Sequence, residues 1–304
     1  MKAGSTYFSQ LLGSHPQVFI STPKEPCHFC DPEPLRALWP HGWELGFWRS
    51  VDAYLALFSG AGPAIYAGEA STSYTHLPRM PDIARRIHQF SPDARILYIM
   101  RDPIDRTISH YWHAVQYFGE NRKPLAAIRD EPHYMAVSDY ASQLTPYLEL
   151  FGARQVHALT FERLVRHPVE TTQAVFRWLG VDDSIAPPAV DVAVNATPEL
   201  LMQQQTWKKT LTNSRLWRAV ARYRPEALRT HTAALGVKPV HPNAVPMDRV
   251  IRFLRPIQQA QTLRLRALLQ RDFPEWQTLN QNAAPHGASW PRFSQAGTLM
   301  RRPV

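Results

Sequence analysis

Two short stretches of this chain carry residue types suited to holding phosphate. The first is Lys2-Ala3-Gly4-Ser5-Thr6-Tyr7, followed by Phe8, Leu11 and Leu12 at helical spacing. Ala3, Gly4 and Ser5 are small enough for backbone N–H groups to close around an anion. The positive end of the helix that follows adds to the charge of Lys2. Ser5 and Thr6 are the expected N-cap residues. The nucleoside-triphosphate loop G-x-x-x-x-G-K-[ST] puts its lysine after the second glycine, whereas here the lysine comes first, so this is not a Walker A loop. An ordinary capped helix accounts for the same residues.

The second stretch is "LYIMRDPIDRTISHY". An apolar run ends in Arg101, with Asp102 as N-cap, Pro103 at the first helical position and Asp105 at the third. Arg101 then stands at the carboxyl end of a strand, where open α/β sheets bind ligands, and Ser109 lies further along the helix. A guanidinium fork and a hydroxyl suit a phosphate dianion. Local bonds from Arg101 to Asp102 or Asp105, and from Ser109 to its own helix, are the competing reading.

The elements that must position these groups alternate. After the opening helix come a short strand at "QVFI", a polar loop "STPKEPCHFCDPEP", a Trp-rich stretch and a helix from Val51 to Phe58. A strand at "AIYAGE", a helix from Pro81 to Phe90 and a buried strand "ARILYIM" follow. Beyond the arginine motif, the strand "QVHALTF" and the helix "PVETTQAVFRWLG" complete the pattern. Alternation of this kind predicts an α/β fold: a central parallel sheet flanked by helices in three layers, P-loop-like in outline. The expected organisation is a single domain over 1–280, with a core over 1–181 and a helical C-terminal portion over 182–280. The polar, Pro- and Gly-containing tail over 281–304 is expected to be disordered.

Composition narrows the partners. The 304 residues carry 34 Lys and Arg against 25 Asp and Glu, a formal charge of +9, which favours anionic ligands. The basic residues are dispersed and form no nucleic-acid recognition motif. No apolar run is long enough for a membrane span and no secretory leader is visible, so a cytoplasmic location is expected. Cys27 and Cys30 form a C-x-x-C without the second ligand pair of a zinc site, the following histidine of a haem site or the flanking elements of a thioredoxin site. No metal site is expected, and the pair reads as two thiols in a reducing compartment.

Taken together, the two stretches resemble the sulfotransferases that use 3′-phosphoadenosine 5′-phosphosulfate (PAPS), in particular the heparan-sulfate-type and related bacterial branch. "KAGSTY" is similar to their 5′-phosphosulfate loop, and Arg101 to Tyr111 follows their 3′-phosphate pattern R-x-P-x-x-R-x-x-S-x-Y. "KEP" at Lys24 to Pro26, "GEASTSY" at Gly68 to Tyr74, "LTFERLVRHP" and "FRWLG" extend the likeness over residues 1–180. The resemblance implies metal-free transfer of a sulfuryl group from PAPS to a hydroxyl, leaving 3′,5′-ADP. It implies that Lys2, Ala3, Gly4, Ser5, Thr6 and Tyr7 hold the 5′-phosphate, that Arg101 and Ser109 hold the 3′-phosphate, and that Lys2 also neutralises the leaving group. Glu25 takes the place of the base. His28 is the alternative base, although it stands three positions after the glutamate rather than two.

Two departures accompany the resemblance. Ala70 stands where the heparan-type enzymes often carry lysine, and Lys24 is the candidate to compensate. Late in the chain only "WKKTLTNSR" offers cations to close over the nucleotide, namely Lys208, Lys209 and Arg215, and a solvated basic helix explains them as well. The family's loop also follows a central apolar strand that is absent ahead of Lys2, from which the expectation is that this chain starts late. The acceptor expectation is a carbohydrate or glycosylated metabolite, with Trp39, His41, Trp43 and Trp48 as sugar-facing candidates, although core packing also explains tryptophan. The rival reading is a non-catalytic nucleotide- or polyanion-binding relative inactivated by truncation.

Overall fold

The computed structural model describes residues 2–188, 197–204 and 237–281. Helix α1 (Ser5–Gly13) turns its apolar stripe inward, and β1 (Val18–Ile20) runs parallel to β2 (Tyr66–Gly68) with Val18 opposite Tyr66. Between them lie the short helices α2 (Pro32–Leu38), α3 (Pro40–Leu45) and α4 (Val51–Ala56). Helix α5 (Ile83–Phe90) leads to β3 (Ile96–Met100), which pairs in parallel with β4 (Val156–Thr160) along all five positions. Between β3 and β4 come α6 (Pro103–Tyr117), α7 (Pro124–Asp130), α8 (His133–Ala136) and α9 (Tyr140–Gln155). Helices α10 (Phe161–Arg166) and α11 (Pro168–Leu179) follow β4 directly.

The parallel strands fall at the expected segments, yet among the described residues they form two separate pairs rather than one continuous sheet. Helix α1 joins them. Tyr7, Phe8, Leu11 and Leu12 share one buried cluster with Val18 of β1, Leu159 of β4 and Val175, Phe176 and Leu179 of α11. Burying each such side chain contributes about 1.5–3 kcal/mol, so that α1 packs both pairs against one core. A larger cluster on the other side gathers Met100, Ile104, Ile108, Tyr111 and Trp112 with Leu144, Tyr147, Leu254 and Trp276.

The C-terminal portion departs from the helical expectation. Leu201–Gln204 (β5) and Val237–Val240 (β6) form an antiparallel pair. The Gln-rich composition conceals a period-two pattern in which Leu201 is buried and Met202 exposed. The long helix α12 (Asp248–Leu269) and the short α13 (Gln277–Asn280) do conform, and Gln258 of α12 donates to Thr107 of α6 at 2.8 Å. Of the expected tail over 281–304, residues 282–304 lie outside the described residues.

Candidate active site

Three of the four non-glycine residues with positive φ among those described are Lys2 (φ 62) in the opening loop and Glu25 (φ 63) and Cys27 (φ 54) in the loop after β1. Left-handed backbone at such residues costs of order 1–3 kcal/mol and persists where surrounding structure fixes it, typically at ligand sites.

At the first loop the cap differs from expectation. Gly4, at φ 80, is the N-cap of α1, while Ser5 and Thr6 are its first two helical residues. Two constraints demand glycine there. A left-handed φ disfavours any side chain, and a Cβ would stand 2.4 Å from Cδ2 of Phe161. With Gly4 as cap, the backbone N–H groups of Ser5 and Thr6 belong to the helix end that has no acceptor within the helix, the feature an anion site uses. Ala3 is buried behind them. Tyr7 buries its ring in the core, and burial raises its phenol pKa, so its side chain anchors the loop.

At the second motif the cap is as expected. Asp102 accepts from the backbone N–H groups of Ile104 and Asp105, and Pro103 opens α6. Arg101 follows β3 directly and donates from Nη1 to the carbonyl oxygen of Lys2 at 3.4 Å. Its guanidinium also lies over the ring of Phe161, 5.3 Å from the centroid. One aromatic ring therefore backs both Gly4 and Arg101. Burial, and then the Arg101 charge, lower the Lys2 ammonium to about 8. Two cations and a helix N-terminus converge on one place, the electrostatic condition for a multiply charged anion. Ser109 sits on the second turn of α6 and is buried.

Carboxyls surround this cationic centre. Glu162 accepts the Asp102 backbone N–H at 2.8 Å, and burial pushes its acid up to about 7 against the opposing pull of Arg101. Asp102 is held by the N–H of Leu279 at 2.9 Å, and Asp105 is raised by burial while Arg101 favours its charged form. The motif's second arginine plays another part. Arg106 is buried and donates to Ser138 at 2.5 Å and to the Tyr134 carbonyl, with His110 3.3 Å away, so it ties α6 to α8 rather than facing ligand.

Glu25 crowns the loop after β1. Its carboxylate accepts from Lys24 Nζ at 2.5 Å, from the Thr72 backbone N–H at 2.7 Å and from the Thr72 hydroxyl at 3.1 Å. The side chain keeps 14% of its surface open, so it is held in place yet reachable. His28 is engaged elsewhere. Its Nδ1 lies 2.6 Å from the Phe47 carbonyl, and its ring stacks on Tyr54 at 4.2 Å and 8°. Cys27 and Cys30 are buried free thiols, and Cys27 N–H donates to Ser71 Oγ at 3.0 Å.

The aromatic candidates divide. Trp43 and Trp48 stack on one another at 6.1 Å, and the guanidiniums of Arg36 and Arg49 cover their faces at 4.8–5.1 Å. Cation–π contact therefore occupies the surfaces a sugar ring would use. Trp39 instead stacks near His113, whose imidazole is lowered to about 4 by burial, with Lys2 contributing to the same shift. His41 is exposed beside Trp39. Lys208, Lys209 and Arg215 lie outside the described residues.

Phe161, Thr72 and His113 belong to this candidate site and were not singled out in the sequence. Phe161 and Thr72 sit inside stretches already noted, "LTFERLVRHP" and "GEASTSY", but nothing in their residue types signals a role. Among the described residues no helix is long and apolar enough to cross a membrane, and no group of His, Cys, Asp and Glu has an arrangement that could hold a metal ion.

Comparison with known proteins follows the same lines. The profile described as the sulfotransferase family matches residues 1–184. Human heparan sulfate glucosamine 3-O-sulfotransferase 5 is 23% identical over 199 residues, covering 61% of this chain and 52% of its own. The membrane-associated sulfotransferase kil1 of Dictyostelium discoideum is 26% identical over 124 residues, 41% of this chain and 23% of its own. This chain thus spans about half or less of the curated relatives it matches. Among solved structures, a sulfotransferase from Alicyclobacillus acidocaldarius superimposes with a TM-score of 0.61 at 26% identity, covering 90% of this chain and 94% of that one.

Proposed function

The chain belongs to the sulfotransferase family, and from that premise we propose that it transfers a sulfuryl group from PAPS to a hydroxyl of a carbohydrate or glycosylated metabolite. The observation that carries the reading is the contact of Arg101 with the Lys2 carbonyl, which sets the 3′-phosphate candidate beside the 5′-phosphate loop. Both phosphates of such a nucleotide hang from one ribose, so adjacent sockets are what it requires.

PAPS supplies the sulfuryl group and takes the displaced charge on its 5′-phosphate. In this reading the N–H groups of Ser5 and Thr6 hold that phosphate, and Lys2 neutralises the charge as it develops. Arg101, with Ser109, holds the 3′-phosphate. Glu25 removes the acceptor proton, its lone pairs directed by Lys24 and Thr72. The structure favours Glu25 over His28 because the imidazole is turned to the Phe47 carbonyl and packed between aromatic rings. Support for a carbohydrate comes from the name of the human relative and from Trp39 and His41 on the side where His113 feels the charge of Lys2.

Transfer of labelled sulfate from PAPS to a panel of saccharides, phenols and lipid alcohols tests this. The reading predicts label on saccharides, lost in Lys2→Met and Glu25→Gln. Label on phenols or lipid alcohols alone would overturn the acceptor. Binding of 3′,5′-ADP without transfer to any acceptor would favour the non-catalytic reading.

A further inference from the structure

A second carboxyl stands behind Glu25. After β1 and β2 the two chains remain zipped: Ser21 N–H donates to Gly68 O, Glu25 N–H to Ala70 O, Cys27 N–H to Ser71 Oγ, and Thr72 N–H back to Glu25. Each strand thus delivers one glutamate to the same crest, Glu25 from the first and Glu69 from the second. Their surroundings are opposite. Glu25 accepts three hydrogen-bond donors and reaches solvent, whereas both oxygens of Glu69 are shut away from water and make no hydrogen bond of good geometry among the described residues. The hydroxyls of Tyr74 and Ser71 are near enough to favour its charged form without bonding it.

We propose that Glu69 is a positioning residue for the base, a solvent-shut carboxyl that shares Lys24 with Glu25 and, by holding or losing its own proton, sets how strongly Glu25 attracts one. This rests on the sulfuryl-transfer reading for its catalytic consequence, while the pairing of the two glutamates rests on the zipped segments after β1 and β2 and on the burial of Glu69. A carboxyl shut away from water ionises less readily than one that water reaches. Burial, with the Glu25 charge adding to it, lifts the Glu69 acid to about 7, while Lys24 pulls the other way. Every other titratable group in the field of Glu69 keeps its proton near neutrality. Tyr54 of α4, Tyr74 of the turn after β2, Tyr147 of α9 and Cys30 all have their acidity suppressed, chiefly by burial for the tyrosines and by its hydrogen bond with Cys27 for the thiol. The charge that Glu69 senses is therefore that of Glu25 and Lys24. When Glu69 ionises, it competes for Lys24, and its negative charge makes Glu25 the stronger base. The proton taken from the acceptor still goes to Glu25.

The test follows the carboxyl carbons of a 13C-glutamate-labelled protein through a pH titration by NMR, assigned with Glu69→Gln and Glu25→Gln, beside the pH profile of transfer. The amide of Glu69→Gln copies the protonated acid and preserves the packing. The expected result is a Glu69 signal titrating near neutrality, a Glu25 signal that shifts in the same interval, and loss of that shift in Glu69→Gln. kcat rises through the same interval in the parent protein and not in Glu69→Gln, with KM for PAPS unchanged within twofold. Lys24→Met provides a second arm, moving the Glu69 titration to higher pH. A Glu69 that titrates as an ordinary exposed carboxyl, or a Glu25 signal indifferent to Glu69→Gln, overturns the inference whatever the transfer assay gives. Coupled carboxyls in a protein that transfers no sulfate would support the pair and sink the function.

Discussion

Arg101 Nη1 reaches the carbonyl oxygen of Lys2 at 3.4 Å, so the residue that follows β3 touches the loop that opens α1. Positions far apart in the sequence thereby form one cationic centre, backed by the ring of Phe161. The charge-assisted bonds Arg101 offers to a phosphate are worth about 1.5–3 kcal/mol. Arg101→Ala is expected to weaken 3′,5′-ADP roughly ten- to a hundredfold while leaving 5′-AMP almost unaffected, as read by calorimetric titration. Equal losses for both nucleotides would place Arg101 away from the 3′-phosphate.

Lys2 gives a pH prediction of definite sign. Its ammonium titrates at about 8 in the folded chain against 10.5 when free. Between those values the unfolded chain binds the extra proton, so the contribution of Lys2 makes the unliganded protein more stable as pH rises from 8 toward 10.5. Nucleotide affinity moves the opposite way, falling above pH 8 as the cation is lost. Denaturation and binding titrations across this window, compared with Lys2→Met, isolate the effect. The variant should show neither trend.

Gly4→Ala combines left-handed strain with overlap against Phe161. The strain alone costs about 1–2 kcal/mol, and the 2.4 Å approach adds to it. Urea denaturation should show a loss above 2 kcal/mol, partly recovered in Gly4→Ala/Phe161→Leu. The recovery measures the overlap, and the remainder measures φ.

Arg106→Met separates structure from site. Arg106 holds the Ser138 hydroxyl and the Tyr134 carbonyl inside the core, and burial lowers its own pKa to about 10. Removing it strands these neutral partners, a loss of about 1–3 kcal/mol for each group left unsatisfied. The folded fraction should nevertheless bind 3′,5′-ADP within a few-fold of the parent. A specific loss of nucleotide affinity in a stably folded variant would move Arg106 into the binding site.

The legibility of these features in the sequence follows their locality. The Asp102-Pro103 start of α6 is a local signal, and it is met in full by the hydrogen bonds to Ile104 and Asp105. The buried runs at β3 and β4 are likewise continuous and apolar. The cap of α1 falls at Gly4, one residue before Ser5 and two before Thr6, and only the distant ring of Phe161 explains the choice of glycine. The β5–β6 pair escaped notice because its partners lie far apart in the chain and its alternation is carried by few apolar residues. Glu69 was visible within "GEASTSY", but its burial depends on Tyr54, Tyr74 and Tyr147, which converge only in the fold. Trp43 and Trp48 were legible as aromatic and illegible as covered, since Arg36 and Arg49 reach them in three dimensions.

The measurement closest to the central claim is a thermal-shift titration of the chain with 3′,5′-ADP, 5′-AMP and ATP at matched concentrations. A ligand bound only by the folded state raises Tm with its occupancy. One cationic centre seating both phosphates of a single ribose predicts the largest rise with 3′,5′-ADP, a smaller one with 5′-AMP, and collapse of the difference in Arg101→Ala. A rise with ATP equal to or above that with 3′,5′-ADP, or none with either, would contradict it.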